Sequence, residues 1–394
     1  MQPQVRNSLP EPDEAGAEHS RRAAENIRRR IAAAGGAISF ADYMHHALYA
    51  PGLGYYVAGA TKFGEAGDFI TAPEASRLFG AVVARQCAEV LPDLGAPRLL
   101  EIGAGSGRLA VDVLARLAEL DALPESYDIL EVSPDLQQRQ RRQLEAAVPD
   151  LAARVRWLNA WPREYAGIIL ANEVLDALPV ERFAVSDHGI EQICVTSDAD
   201  GFSMTTRPAP ALLAQAVQSI EREIGEPFPA GYVSEVCLAL APWIADLAGA
   251  LENGIAFLFD YGVSRREYYA AERSTGWLRC HFRHHAHNDP LRLPGIQDIT
   301  SWVDFTAVAA AAAGHGLDIA GFVTQAQFMI NGGLDAELDG MAEMPIDAQL
   351  TLANEVKLLT LPGEMGEHFK CIGLSRGPVR APSSLLRMDR AAAL

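Results

Sequence analysis

The chain has 394 residues, 49% hydrophobic and 21% charged, a balance that excludes a disordered polymer and allows two or three domains or one large domain with insertions. Asp and Glu number 51 against 33 Lys and Arg, for a net charge of −18. That charge argues against general nucleic-acid binding and against docking on anionic lipid, both of which need a basic footprint.

Residues 1–17 mix proline with acids and lack the apolar stretch of a signal peptide and the Arg-rich, acid-poor character of a transit peptide, so they are expected to be disordered. Residues 18–34 read as a helix stopped by Gly35-Gly36, and Ser39 opens a shorter one that ends at Pro51-Gly52. The glycine- and aromatic-rich stretch that follows has no period and is expected to be an ordered loop. Thr71 and Glu74 have the spacing of a capping box, with Pro73 in the first turn, and predict a helix running to about Val90. Residues 18–90 thus form an N-terminal helical and lid region.

From residue 98 short apolar runs alternate with helical patterns. RLLEI (98–102), YDILEV (127–132), RVRWL (154–158) and GIILAN (167–172) are strand candidates, and Ser133-Pro134 is an N-cap followed by proline. Such runs, apolar on both faces, predict an open, mostly parallel α/β sheet of Rossmann-like type. Residues 179–251 alternate apolar and polar positions around tight turns, then give helices near 209–223 and 234–251; they are expected to be an antiparallel β insertion. Residues 252–377 return to the core begun at 91–178, with strands at 254–261, 317–323 and 369–375, and 378–394 is a tail. Segment 263–300 reads as one long functional loop. Six arginines against three acids between 265 and 292 make it a basic island, expected over the acceptor groove.

Five scattered cysteines suggest neither disulfides nor a zinc site, and no apolar run approaches a membrane span. A cytoplasmic, reducing location is expected. His281, His284, His285 and His287, followed by Asp289, lack a metal-binding spacing, so no metal is expected.

The strongest local signal is Glu101-Ile-Gly103-Ala-Gly105-Ser106-Gly107 after the first core strand. Its glycines let the backbone turn sharply and approach a ligand. Dinucleotide binders use G-x-G-x-x-G, whereas here the third glycine comes one position early and an acid precedes the first. S-adenosylmethionine carries an ammonium and a sulfonium that favour a nearby carboxylate, so E-x-G-x-G-x-G fits it better than NAD. Glu131, at the end of the second strand, can accept both ribose hydroxyls of either nucleoside. Asn172, Glu173 and Asp176 follow the fourth strand, where doubly wound sheets place their ligands. A glutamate there can grip a guanidinium in a bidentate fork.

These residues, with GDFITAPEASRLFG (67–80), ILEVSPDL (129–136), ANEVLDALPV (171–180), DYG (260–262), HNDPL (287–291) and EMGEHFK (364–370), resemble the MidA/DUF185 family of class I S-adenosylmethionine-dependent methyltransferases. The likeness runs from about residue 36 to 376. It implies a seven-stranded sheet with the last strand antiparallel. It also implies S-adenosyl-L-methionine as cofactor and a protein substrate, an arginine side chain of a respiratory complex I subunit. Asp68, Thr71 and Pro73 would close over the cofactor; Asn159 and Trp161 would lie by the adenine; Ser133, with Glu131, and Asn172 would also bind the cofactor. Glu173, with Asn172, Asp176 and Asp260, would act on the acceptor. Alternatives are methylation of another residue or a small molecule, and a non-catalytic assembly chaperone. The insertion and the helices near 331–358 could serve a homodimer, which their pattern does not demand.

Overall fold

The computed structural model describes residues 9–57, 71–95 and 97–394. Asp68 lies outside the described residues.

Seven strands build the central sheet: β1 (Arg98–Ile102), β2 (Ser126–Leu130), β3 (Val155–Leu158), β4 (Tyr165–Asn172), β5 (Leu251–Val263), β6 (Asp318–Thr324) and β7 (Phe369–Arg376). Their spatial order is β6-β7-β5-β4-β1-β2-β3, and a two-residue strand, Val303–Asp304, adds to the end of β5. The five strands from β3 to β5 are mutually parallel; β7 runs antiparallel to both neighbours. Successive strand residues bury on opposite faces, as the period of two requires. Leu99, Ile129, Leu170, Phe257 and Phe259 pack under the helices Arg77–Val90 and Arg108–Glu119. Leu100, Ile169, Ala171 and Leu258 pack against Leu240–Ala250 and Phe305–Gly314. The result is a three-layer α/β/α core with all its parallel strands ending at one rim.

A second sheet rides beyond that rim. Strands Glu181–Ser186, Gly189–Ser197 and Phe202–Pro208 form the expected meander. Val233–Val236 pairs antiparallel with Glu181–Ala184, so the helix predicted over 234–251 starts only at Leu240. The N-terminal arm joins this sheet: Ala37–Ser39 pairs with Cys194–Thr196. Helix Glu14–Ala33, capped by Asp13, and helix Phe40–Tyr49, capped by Ser39, bury Ile27, Phe40, Tyr43 and Met44 against it. The first helix thus begins within the stretch expected to be disordered.

Segment 263–300 is not one irregular loop. Leu278–Phe282, His285–His287 and Asp298–Ser301 form a small antiparallel sheet. The tail is anchored too: Leu385 is buried in the core and Arg390 N–H donates to Phe322 O on β6 at 2.7 Å. Among the described residues no helix is long and apolar enough to cross a membrane.

Candidate active site

A cleft of about 340 Å³ opens at the rim where β1, β2 and β4 end. It lies within the size range of small-molecule sites. Its floor is the turn after β1. Gly103 and Gly105 have φ of +66° and +54°, in the left-handed region that favours glycine. Both line the cleft, as do Ala104 and Ser106. Gly107 does not; it lets the loop pack closely on Gln140, whose Cα lies 3.3 Å from where a Cβ would project.

Glu101 is buried and accepts from the Tyr127 hydroxyl at 2.7 Å. Burial pushes its carboxyl up to about 7; the Tyr127 bond opposes this and nearby Glu131 adds to it. Glu131 also lines the cleft, with Oε1 accepting from Ser133 N–H at 2.8 Å. Next to it Val132 is 68% exposed inside the cleft, an apolar face that a flat base would cover. Trp161 lines the same side, edge-on to Trp243 at 5.6 Å. Acid, glycine turn, ribose-type acid and apolar wall together fit S-adenosylmethionine.

The opposite wall comes from the turn after β4. Glu173 has φ of +52°, a conformation costing a non-glycine residue about 1–2 kcal/mol. Three contacts hold it there. Glu173 N–H donates to Phe259 O at 2.8 Å, while Asp260 Oδ2 accepts from Leu175 N–H at 2.9 Å and Asp176 N–H at 3.2 Å. Burial and the neighbouring Asp176 push the Glu173 carboxyl well above the usual range, against a bond from Asn172 Nδ2 at 3.2 Å. Burial also lifts Asp176 to about 6, with the Tyr261 hydroxyl opposing. Among the described residues Asn172 Oδ1 and Asp176 Oδ1 are buried with no hydrogen-bond partner.

Raised pKa values mean this cluster destabilises the fold where it is ionised. The cost is absent below the unfolded-state value near 3.8 and fully present above the folded-state values. Asp176→Asn is therefore expected to stabilise the protein by about 1–3 kcal/mol at pH 8 and by roughly a third of that at pH 4.5. Urea unfolding at both pH values checks this, and equal gains at both would contradict it.

Several expected site residues stand elsewhere. Asp260 is fully buried behind the wall and does not line the cleft; its oxygens grip the turn, and Oδ1 also accepts from Tyr261 N–H at 3.0 Å. Ser133 caps the helix Pro134–Ala147, and Asn159 is exposed, accepting from Gln137 Nε2 at 3.0 Å. Neither lines the cleft. Thr71 and Pro73 do line it, but no capping box forms. Ala72–Ala75 is a single turn, and Ser76 caps the separate helix Arg77–Val90. Glu74 instead receives a hydrogen bond from the Ser106 hydroxyl, tying the arm to the glycine turn. The basic island does not line the cleft either. Arg265 pairs with Asp304 and Glu223, and Arg283 with Asp13. Among the described residues no cluster of three or more ligating side chains could hold a metal.

Three aromatic wall residues, Tyr49, Tyr56 and Trp243, were not singled out from the sequence. Tyr49 and Tyr56 stack at 5.5 Å; Tyr49 hydroxyl donates to Ala177 O and Tyr56 hydroxyl to Asp298 Oδ1, at 2.9 and 2.8 Å. Tyr56 lies in the aromatic stretch GLGYY, which was the available signal for it; Tyr49 lies outside that stretch. Trp243 offered none.

A doubly wound sheet with an antiparallel last strand, an E-x-G-x-G-x-G turn and a second acid at the next strand's end defines a class I S-adenosylmethionine-dependent methyltransferase. The chain belongs to the family described as "Putative S-adenosyl-L-methionine-dependent methyltransferase", which matches residues 82–323. It is 41% identical to a Burkholderia thailandensis protein crystallised with S-adenosyl-homocysteine, with a TM-score of 0.92 over 98% of this chain and all of that one. Curated relatives are mitochondrial proteins named protein arginine methyltransferase NDUFAF7. The Danio rerio protein is 30% identical over 85% of this chain and 82% of its own length. The Rattus norvegicus protein is 31% identical over 86% and 81%.

Proposed function

We propose that the protein methylates an arginine side chain of another protein, a respiratory complex I subunit being the first candidate. The observation that carries this is the pair of unpaired buried acceptors in the wall of the cleft. Among the described residues Asn172 Oδ1 and Asp176 Oδ1 are buried without donors, beside the half-buried carboxyl group of Glu173. Unpaired buried acceptors are costly, and a planar cation with several N–H groups satisfies them together. The names of the NDUFAF7 relatives support the same acceptor.

The bound cofactor supplies an electrophilic methyl group. Glu173 and Asp176 would hold the guanidinium and concentrate its charge away from the reacting nitrogen, leaving that lone pair free to form the N–C bond as the methyl's bond to sulfur breaks and its electron pair stays on the departing thioether. Positioning is the main requirement of such an in-line displacement. The nitrogen's proton leaves to the carboxylate cluster and then to water. Asp260 would act as a positioning residue, fixing the turn that aims Glu173. Five free cysteines suit a reducing compartment such as the bacterial cytoplasm.

Incubation with methyl-labelled S-adenosylmethionine and purified bacterial complex I subunits tests the acceptor. Label is expected in methylarginine after acid hydrolysis. Label confined to other residues or to small molecules would refute the arginine assignment.

A further inference from the structure

The cleft is lined by five carboxylates, Glu74, Glu101, Glu131, Glu173 and Asp176, but among its described lining residues the only cation is Arg108. Arg108 is the first residue of the helix Arg108–Glu119. Aligned peptide dipoles make a positive side chain unfavourable there. No acid stands in that first turn and Gly107 provides no cap. Its backbone N–H is closed off by Ser106 Oγ at 3.1 Å, and that hydroxyl in turn donates to Glu74.

Among the described residues the guanidinium is braced at one corner. Nε donates to Asp112 Oδ2 at 2.8 Å, one turn along the helix. Both terminal nitrogens have no hydrogen-bond partner among the described residues, and the side chain is 41% exposed at the cleft. A fixed Nε with a free terminal fork is suited to two parallel bonds to one carboxylate.

We propose that Arg108 binds the α-carboxylate of the cofactor's methionine portion. Without a cation, that anion would be repelled by a cleft so rich in acids. The α-ammonium and α-carboxylate sit on one carbon, so their countercharges must come from neighbouring pieces of chain. Glu101 at the end of β1 and Arg108 at the start of the next helix meet that demand from the two sides of one glycine turn. Asp112 is the positioning residue that orients the fork. The assignment rests on the family's cofactor and is independent of which acceptor is methylated.

Calorimetric titration of wild type and Arg108→Gln, with S-adenosylhomocysteine and separately with 5′-methylthioadenosine, tests it. The second ligand keeps the nucleoside and sulfur but lacks the amino-acid end. The variant is expected to lose about 10- to 100-fold in affinity for S-adenosylhomocysteine, the usual effect of a charged hydrogen-bonded pair. Its affinity for methylthioadenosine should stay within about twofold of wild type, which also reports an intact fold. Equal losses for both ligands, or none for either, would overturn the assignment. Wild type that binds neither ligand would overturn it together with the cofactor, whereas a failed acceptor assay leaves both affinities as expected.

Discussion

Glu173→Gln is expected to lower kcat for methyl transfer by about 10²- to 10³-fold while affinity for S-adenosylhomocysteine stays within about threefold. Glutamine keeps the volume and can still accept from Asn172 Nδ2, so the turn should hold. What it loses is the charge that would fix a guanidinium. The left-handed backbone at residue 173, pinned by Phe259 O, makes the aim of this side chain a built property. Single-turnover rates alongside calorimetry separate the outcomes. An unchanged rate, or a parallel fall in cofactor affinity, would move Glu173 off the acceptor side.

The second large effect is expected at the glycine turn: Gly105→Val should reduce cofactor affinity by at least about 100-fold. Valine must adopt a φ of +54°, which costs a β-branched residue dearly, or else straighten the turn. Its side chain would also occupy the cleft that Gly105 lines. Calorimetry with S-adenosylhomocysteine reads the result, and circular dichroism confirms the fold. Undiminished affinity would remove the turn from the cofactor site.

The central sheet was legible because its strands carry their own signal. RLLEI and GIILAN are apolar on both faces, and buried parallel strands need that wherever they sit. The acids at strand ends followed from position alone. Elsewhere the structure depends on distant partners. VSEV reads as the start of an apolar helix, yet it becomes a strand by pairing with Glu181–Ala184, some fifty residues earlier. Thr71 and Glu74 have capping-box chemistry, but Ser106 claims Glu74 and Ser76 takes over the cap. The three strands within 263–300 have five, three and four residues, too short to show a period. Asp260 was correctly placed at a strand's end, but whether it faces ligand or backbone depends on contacts with residues 175 and 176.

The pairing of Ala37–Ser39 with the meander divides labour within the molecule. Glu101, the glycines, Glu131, Trp161, Trp243 on the core helix Leu240–Ala250, and the turn residues Asn172, Glu173 and Asp176 are supplied by the α/β core, whereas Tyr49, Tyr56, Thr71 and Pro73 arrive on the arm. The two sides can therefore diverge at different rates in evolution. Changes in the arm can reshape its side of the cleft while the core strands keep the glycine turn and the acids beside it in place, so one core can stand behind differently shaped clefts.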